Sequence, residues 1–308
     1  MKSSNAFIEN KSVRQDVYTR VTARIVADLE QGVRPWLKPW SGENAADRIV
    51  MPVRHCGTPY RGINILLLWG EALAKGYSAN KWMTFKQALE LGGCVRKGEH
   101  GSLVVYADRF KKTEQDDNGQ DIEREIPFMK GYTVFNVEQI EGLPETFYAV
   151  PDPKGEKLAL IEAAEKFFAS TGAVFKHGGN SAFYAPSVDA IQLPFPEAFR
   201  DAESYAATKA HELTHWTKHE TRLNRDFGRK TWGDEGYARE ELVAELGAAF
   251  LCSTLGITPE ARDDHAAYIG HWLKALKDDR RAIFSAAAHA QRAVDYLHGL
   301  QTKSAAAA

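Results

Sequence analysis

The sequence predicts an α+β protein built as two domains, residues 1–150 and 151–308, and three observations lead there. The chain has 308 residues, about twice the length of a common domain. Its first half mixes amphipathic helical periods with alternating, β-rich stretches. Its second half carries a few short strand signals and then helical patterning to the end.

Taken in order, residues 13–31 set Val13, Val17, Val21, Ile25 and Leu29 at steps of four, the apolar stripe of an amphipathic helix stopped by Gly32. Residues 63–73 and 84–91 read as further helices, the latter with Thr84 as its cap. Residues 102–110 and 126–137 are apolar and strand-like. The acidic run 114–125 between them, with Asn118-Gly119 at its centre, reads as an exposed hairpin turn. Residues 143–156 hold three prolines and a glycine, which places the domain boundary near Val150. A helix over 157–171 follows, then short strands at 173–176, 182–185 and 190–193. Helices at 204–219, 238–254, 264–277 and 280–300 complete the second domain.

Composition narrows the function classes. At 44% hydrophobic and 26% charged residues the chain is neither disordered nor fibrous. The longest apolar run, 63–69, is far short of the roughly 20 residues that cross a bilayer, so no membrane role is expected. No secretory signal is readable at the N-terminus. The three cysteines, Cys56, Cys94 and Cys252, are scattered and form no Cys-x-x-Cys pair, which excludes a disulfide framework and a cysteine zinc ribbon. A cytoplasmic protein is expected. Charge is unevenly divided: residues 1–112 carry 18 Lys and Arg against 10 Asp and Glu, whereas 113–308 carry 21 against 31. The front of the chain can attract a polyanion.

The most informative residues are His211-Glu212-Leu213-Thr214-His215. On a helix, positions four apart stack on one face, so His211 and His215 can share one ion while Glu212 lies beside them as general base. A catalytic zinc site takes three protein ligands and leaves one position open. In residues 238–250, Glu241 and Glu245 lie four apart on one face of a helix otherwise rich in Ala and Leu, and either could complete a His₂Glu set. The region resembles the gluzincin metallopeptidases, and that resemblance implies Glu241 as third metal ligand and Glu245 as the group that orients a ligand histidine. The cofactor implied is one Zn²⁺ ion, with Mn²⁺ as the alternative. His219 extends the ladder of four but lies one turn too far along to join the same ion. The strand pair within 181–193 is where an extended peptide could add to a sheet edge.

In the first half, cations and aromatics interleave: Arg34, Trp36, Lys38 and Trp40, then Arg61, Lys81 and Trp82, then the basic turn Arg96-Lys97 before Gly98. This is the pattern expected where phosphates are paired and unstacked bases lie on rings. Trp36, Trp40 and Trp82 are the stacking candidates.

Several separate motifs occur together and in order: Arg61-Gly62-Ile63-Asn64, then Trp82-Met83-Thr84-Phe85-Lys86-Gln87-Ala88, Val95-Arg96-Lys97-Gly98-Glu99-His100-Gly101, His211 to Trp216 and Glu240 to Glu245. With these the chain resembles the ArdC family of plasmid antirestriction proteins over nearly its full length. That resemblance implies an N-terminal single-stranded-DNA-binding domain (1–150), a C-terminal zincin-like metallopeptidase domain (151–308), and protection of incoming conjugative DNA from host restriction. Expected partners are single-stranded DNA and a protein substrate such as a host restriction enzyme or another DNA-bound protein. A competing reading makes strand coating the protective act and the metal site dispensable. A nuclease fits poorly, because two-metal nucleases gather several carboxylates around a magnesium pair.

Overall fold

A computed structural model describes residues 16–37, 50–115, 121–149, 157–228, 234–258 and 266–306. Helix α1 (Val17–Glu30) starts where the Asp16 carboxylate accepts the Thr19 amide at 2.9 Å, and it buries Val21, Ile25 and Leu29 of the anticipated stripe. Val13 lies outside the described residues. After β1 (Val53–Arg54), helix α2 (Ile63–Lys75) runs two residues past its anticipated end and stops at left-handed Gly76. Strand β2 (Lys81–Met83) leads into the short α3 (Phe85–Glu90), capped by Thr84 with Gln87 returning the bond as a capping box. Then come β3 (Cys94–Val95), β4 (Ser102–Gln115), β5 (Asp121–Asn136) and β6 (Ile140–Glu141).

The four-stranded sheet runs β1-β2-β5-β4, and β3 pairs with β6 alongside it. Of the anticipated turn at 114–125, residues 114–115 and 121–125 belong to the strands. The β4–β5 ladder continues without a break from Ser102 opposite Val134 to Gln115 opposite Asp121. The charges that suggested a turn pair across the strands instead, Arg109 with Glu125 at 3.2 Å and Lys111 with Glu123 at 2.8 Å. Asn118-Gly119 falls outside the described residues. At its base the hairpin is pinned by Asn64 of α2, whose amide group donates to Val105 O at 2.8 Å and accepts from Val105 N at 2.7 Å. One side chain thereby satisfies both polar atoms of an edge-strand residue.

The second half follows the anticipated order. Helix α4 (Lys157–Ala169) precedes a three-stranded sheet in the order β7-β9-β8, from β7 (Val174–His177), β8 (Phe183–Ala185) and β9 (Ala190–Leu193). Then come α5 (Ala202–Trp216), α6 (Glu235–Leu255), α7 (Ala266–Asp278) and α8 (Ala282–Ala306). Both halves feed one hydrophobic cluster: Val21, Ile25, Trp36, Leu66 and Leu68 share it with Leu246, Phe250, Trp272 and Ile283. Trp36 meets Trp272 edge to face at 6.1 Å, and Trp69 meets Phe250 at 5.8 Å. Polar ties accompany them, with Thr22 donating to Arg280 O at 2.7 Å and Gly62 N to the Gln291 side chain at 3.0 Å. Among the described residues, no helix is long and apolar enough to cross a membrane, and the three cysteines are free thiols.

The approach of α6 to α5 depends on one glycine. A Cβ on Gly247 would sit 2.5 Å from the Thr214 methyl carbon, so a larger residue must push α6 away from the helix that carries both histidines. Gly299 on α8 has open space around it. Gly247→Val is expected to destabilise the fold by about 1–3 kcal/mol through overpacking, whereas Gly299→Ala should be neutral or stabilise by up to about 1 kcal/mol. Urea denaturation of both variants checks the contrast.

Candidate metal centre

Helix α5 begins at Asp201, whose carboxylate accepts the Ser204 amide at 2.8 Å. Three turns later it presents His211 and His215, ring centroids 4.9 Å apart and planes at 78°. Helix α6, capped by Asp234 through the Tyr237 amide at 2.8 Å, brings Glu241 opposite them. Glu241 Oε2 lies 3.6 Å from His211 Nε2, and Oε1 lies 3.5 Å from His215 Nε2. Ligand atoms bound about 2.0–2.2 Å from one tetrahedral ion lie roughly 3.3–3.6 Å apart, so the two nitrogens and the carboxylate fit a shared divalent cation. Among the described residues, His211, His215 and Glu241 are the group whose ligand atoms all lie within 4.8 Å of one another. The charge balance agrees with a cation: Glu240, Glu241 and Glu245 converge here in a largely buried setting, and buried carboxylates need positive partners.

Second contacts fix this arrangement. His215 Nδ1 donates to Glu240 Oε1 at 2.9 Å, which turns Nε2 toward Glu241, where it holds a proton or, once that is displaced, offers its lone pair to a metal ion. Glu240 is itself clamped by Arg225, whose Nε reaches Oε2 at 2.8 Å and Nη2 reaches Oε1 at 2.8 Å. Arg225 also donates to Thr214 O at 3.0 Å and to Thr217 Oγ1 at 3.1 Å, tying the clamp to the end of α5. Burial alone would lift the Glu240 carboxyl, but Arg225 and His215 outweigh it and hold the group at about 2. Burial likewise opposes a charged His215, yet Glu241 and Glu240 raise its imidazole to about 9. Glu241 is held well below the ordinary carboxylate range by the two histidines, against its own burial.

Glu245 sits on the His211 side, its Oε2 3.9 Å from His211 Nδ1, beyond hydrogen-bond distance. Its Oε1 accepts the Trp36 indole N–H at 3.2 Å, and Arg34 Nη1 stands 3.9 Å away. Glu212 is buried at 3% exposure. His219 falls past the end of α5, bonded to Thr221 at 2.9 Å. Sequence reasoning missed Glu240 and Arg225. The available signal was the rule that a ligand histidine needs a partner on its other nitrogen, for which only Glu245 was weighed.

Two of the three anticipated stacking tryptophans are buried. Trp36 and Trp82 are 0% and 1% exposed, so neither offers a face to a base in this conformation. Trp36 packs on Trp272, while Trp82, on the interior strand β2, packs edge-on against Tyr77 at 5.7 Å. Lys38 and Trp40 lie outside the described residues. Arg34 faces Glu245, and Lys81 donates to Thr146 O at 2.8 Å above the Phe147 ring. Arg61 is exposed and paired with Asp295. Arg96, paired with Glu99 at 2.8 Å, and Lys97 are exposed on the turn before Gly98.

Removing one partner of a buried pair leaves the other charge uncompensated, at a cost of about 3–5 kcal/mol. Glu240→Gln is therefore expected to lower stability and to weaken divalent-metal binding by roughly 10–100-fold, although Glu240 is not one of the three ligands. Calorimetric titration with Zn²⁺ and with Mn²⁺ measures the second effect.

Residues 15–135 match the family model described as the N-terminal domain of anti-restriction factor ArdC, and residues 162–289 match the zincin-like metallopeptidase model. The chain is 42% identical over 296 residues to an uncharacterised protein of Sinorhizobium fredii, y4eC, with 93% of each covered. It is 38% identical over 307 residues to the Escherichia coli DNA primase TraC, covering 94% of this chain and 28% of that larger protein. The metal-free crystal structure of the antirestriction ArdC protein from plasmid R388 is similar with a TM-score of 0.78 and 44% identity, over 94% of this chain and 99% of that one. The Mn(II)-bound structure of the same protein gives 0.75 and 43%, over 93% and 98%. Matched along nearly its whole length, the chain belongs to the ArdC family of antirestriction proteins, an ArdC N-terminal region joined to a zincin-like metallopeptidase domain with a divalent His-His-Glu metal site.

Proposed function

We propose that this protein binds single-stranded DNA and protects incoming conjugative DNA from host restriction in the cytoplasm. In this reading residues 1–150 hold the strand, and residues 151–308 form a Zn²⁺-dependent peptidase acting on a protein engaged with that DNA, such as a restriction enzyme. The observation that carries the peptidase half is the convergence of His211, His215 and Glu241, with Glu212 beside them on α5. A Zn²⁺ ion there, or Mn²⁺ as in the plasmid R388 relative's crystal structure, supplies Lewis-acid polarisation of a carbonyl and acidifies a bound water.

The chain's own residues account for the rest. Glu212 takes the proton of the attacking water and returns it to the leaving amine. Arg225 and Glu240 hold the His215 ring in one tautomer and orientation. Strand β8 is at the edge of its three-stranded sheet and can accept an extended peptide as a further strand.

One observation favours the second reading, in which coating the strand is the protective act. His211, Glu212 and His215 are 3%, 3% and 7% exposed, and Trp36 of the N-terminal half bonds Glu245 beside them. A cleavage assay separates the two. Zn²⁺-loaded protein is incubated with a mixture of DNA-binding proteins, with and without single-stranded DNA. Glu212→Ala is expected to abolish cleavage while leaving oligonucleotide affinity unchanged. No cleavage by the wild type under any condition, together with full protection by Glu212→Ala in a conjugation assay, makes strand coating the function.

A further inference from the structure

The long β4–β5 hairpin has two unlike faces. Side chains alternate along a strand, and directly opposed residues share a face. The register therefore puts Val104, Tyr106, Asp108, Phe110 and Lys112 together with Tyr132, Lys130, Phe128, Ile126 and Arg124. On this face four rings form a chain: Tyr132 to Tyr106 at 6.4 Å, Tyr106 to Phe128 at 6.1 Å and Phe128 to Phe110 at 6.1 Å. Tyr106, Phe110 and Tyr132 are 47%, 47% and 45% exposed. Three cations stand among them, Lys112, Arg124 and Lys130, with Lys130 Nζ 5.4 Å from the Phe128 centroid. The acid in this stretch, Asp108, accepts the Tyr106 hydroxyl.

The opposite face is built differently. Arg109 and Lys111 are matched there by Glu125 and Glu123, so its charge cancels, and none of its residues from Ala107 to Thr113 or from Glu123 to Gly131 is aromatic. A hairpin that needed rings only for cross-strand stability would bury them or spread them over both faces. Here they are gathered, with Tyr106, Phe110 and Tyr132 exposed and Phe128 half-buried between them, and interleaved with positive charge.

We infer that the Tyr132–Tyr106–Phe128–Phe110 ladder, with Lys112, Arg124 and Lys130, is the surface on which single-stranded DNA stacks. The inference deepens the strand-binding reading above and depends on it. Successive rings are spaced at nearly twice the roughly 3.4 Å per nucleotide of a stacked strand, which suits splayed bases laid on separate π faces with phosphates beside the cations. From the level of Tyr132 to that of Phe110 the stripe spans six residues of strand, or about 20 Å, room for several nucleotides. Every base has a π face, so binding here should be tolerant of sequence.

The test uses the full-length protein and a fluorescent oligo(dT). Tyr106→Leu and Phe110→Leu keep apolar bulk but remove the aromatic faces, and each is expected to weaken binding roughly 5- to 100-fold. Phe128→Trp should keep affinity and report contact through quenching of the new indole. Lys130→Gln should lower the slope of log affinity against log salt by about 0.7. Circular dichroism and thermal midpoints of the Leu variants show whether the hairpin still folds, and an unfolded Leu variant leaves the Trp quenching and the salt slope to decide. Wild-type affinity and slope in all variants, with no quenching, overturn the inference while leaving strand binding itself standing. Failure of the wild-type protein to bind oligo(dT) removes both. Unchanged binding together with a changed oligomeric state would overturn it in favour of self-association through this face.

Discussion

Everything around the metal centre follows from burying three carboxylates between two helices. Glu240 and Glu245 are each under a tenth exposed, and Glu241 only slightly more. An isolated carboxylate in such a setting would take up a proton. Glu240 and Glu241 are instead kept ionised, and each of the three carboxylates has different partners. Glu240 has the two-pronged guanidinium of Arg225, Glu241 has two imidazoles, and Glu245 has the Trp36 indole with Arg34 near it. A proton on His215 balances Glu241 when nothing else does, which is why that imidazole is held at about 9. A divalent cation would balance it better, and the site is shaped by that deficit. Gly247 makes the arrangement reachable, because only without a side chain there can α6 lie close enough to Thr214 for Glu241 to span both histidines.

The same constraint joins the halves of the molecule. Trp36 belongs to the N-terminal half, yet its ring packs on Trp272 and its N–H is spent on Glu245. The indole is therefore both a large apolar filler of the shared core and a polar ligand to the carboxylate next to the metal centre. A change in the position of residues 33–37 would alter the surroundings of Glu245 and, through it, of His211.

How much of this was legible in the sequence depended on range. His211 and His215 could be read because helix geometry converts a spacing of four into a shared face, Glu241 was separated from Glu245 only by resemblance to the gluzincins, and the cap Thr84 acts within three residues of itself. The fold class and the order of elements were equally local. Glu240 and Arg225 were hidden because they lie fifteen positions apart in sequence, and no periodicity marks their partnership. The hairpin was underestimated for a related reason. Glu114 to Glu125 looks like a solvated turn when read along the chain, but Lys111 and Glu123 neutralise each other only once the strands face one another.

The tryptophans show where composition misleads. Cations interleaved with aromatics describe a base-stacking surface and also a core segment flanked by solvated charges, and the two cannot be separated without knowing which way each ring points. The pleat decides it. Trp82 lies on an interior strand of a sheet covered by neighbouring elements, so its ring turns into the core beside Tyr77. Tyr106 and Phe110 lie where β4 has run past Asn64 and the sheet has narrowed to two strands, so rings of the same chemistry remain in solvent. The cost of leaving apolar rings in water is fixed by their area, and the rings' contacts with one another leave Tyr106, Phe110 and Tyr132 still nearly half exposed. That exposure, on the face that also carries Lys112, Arg124 and Lys130, is what the inferred strand-binding surface would explain: the hairpin's length places its rings beyond the reach of the core.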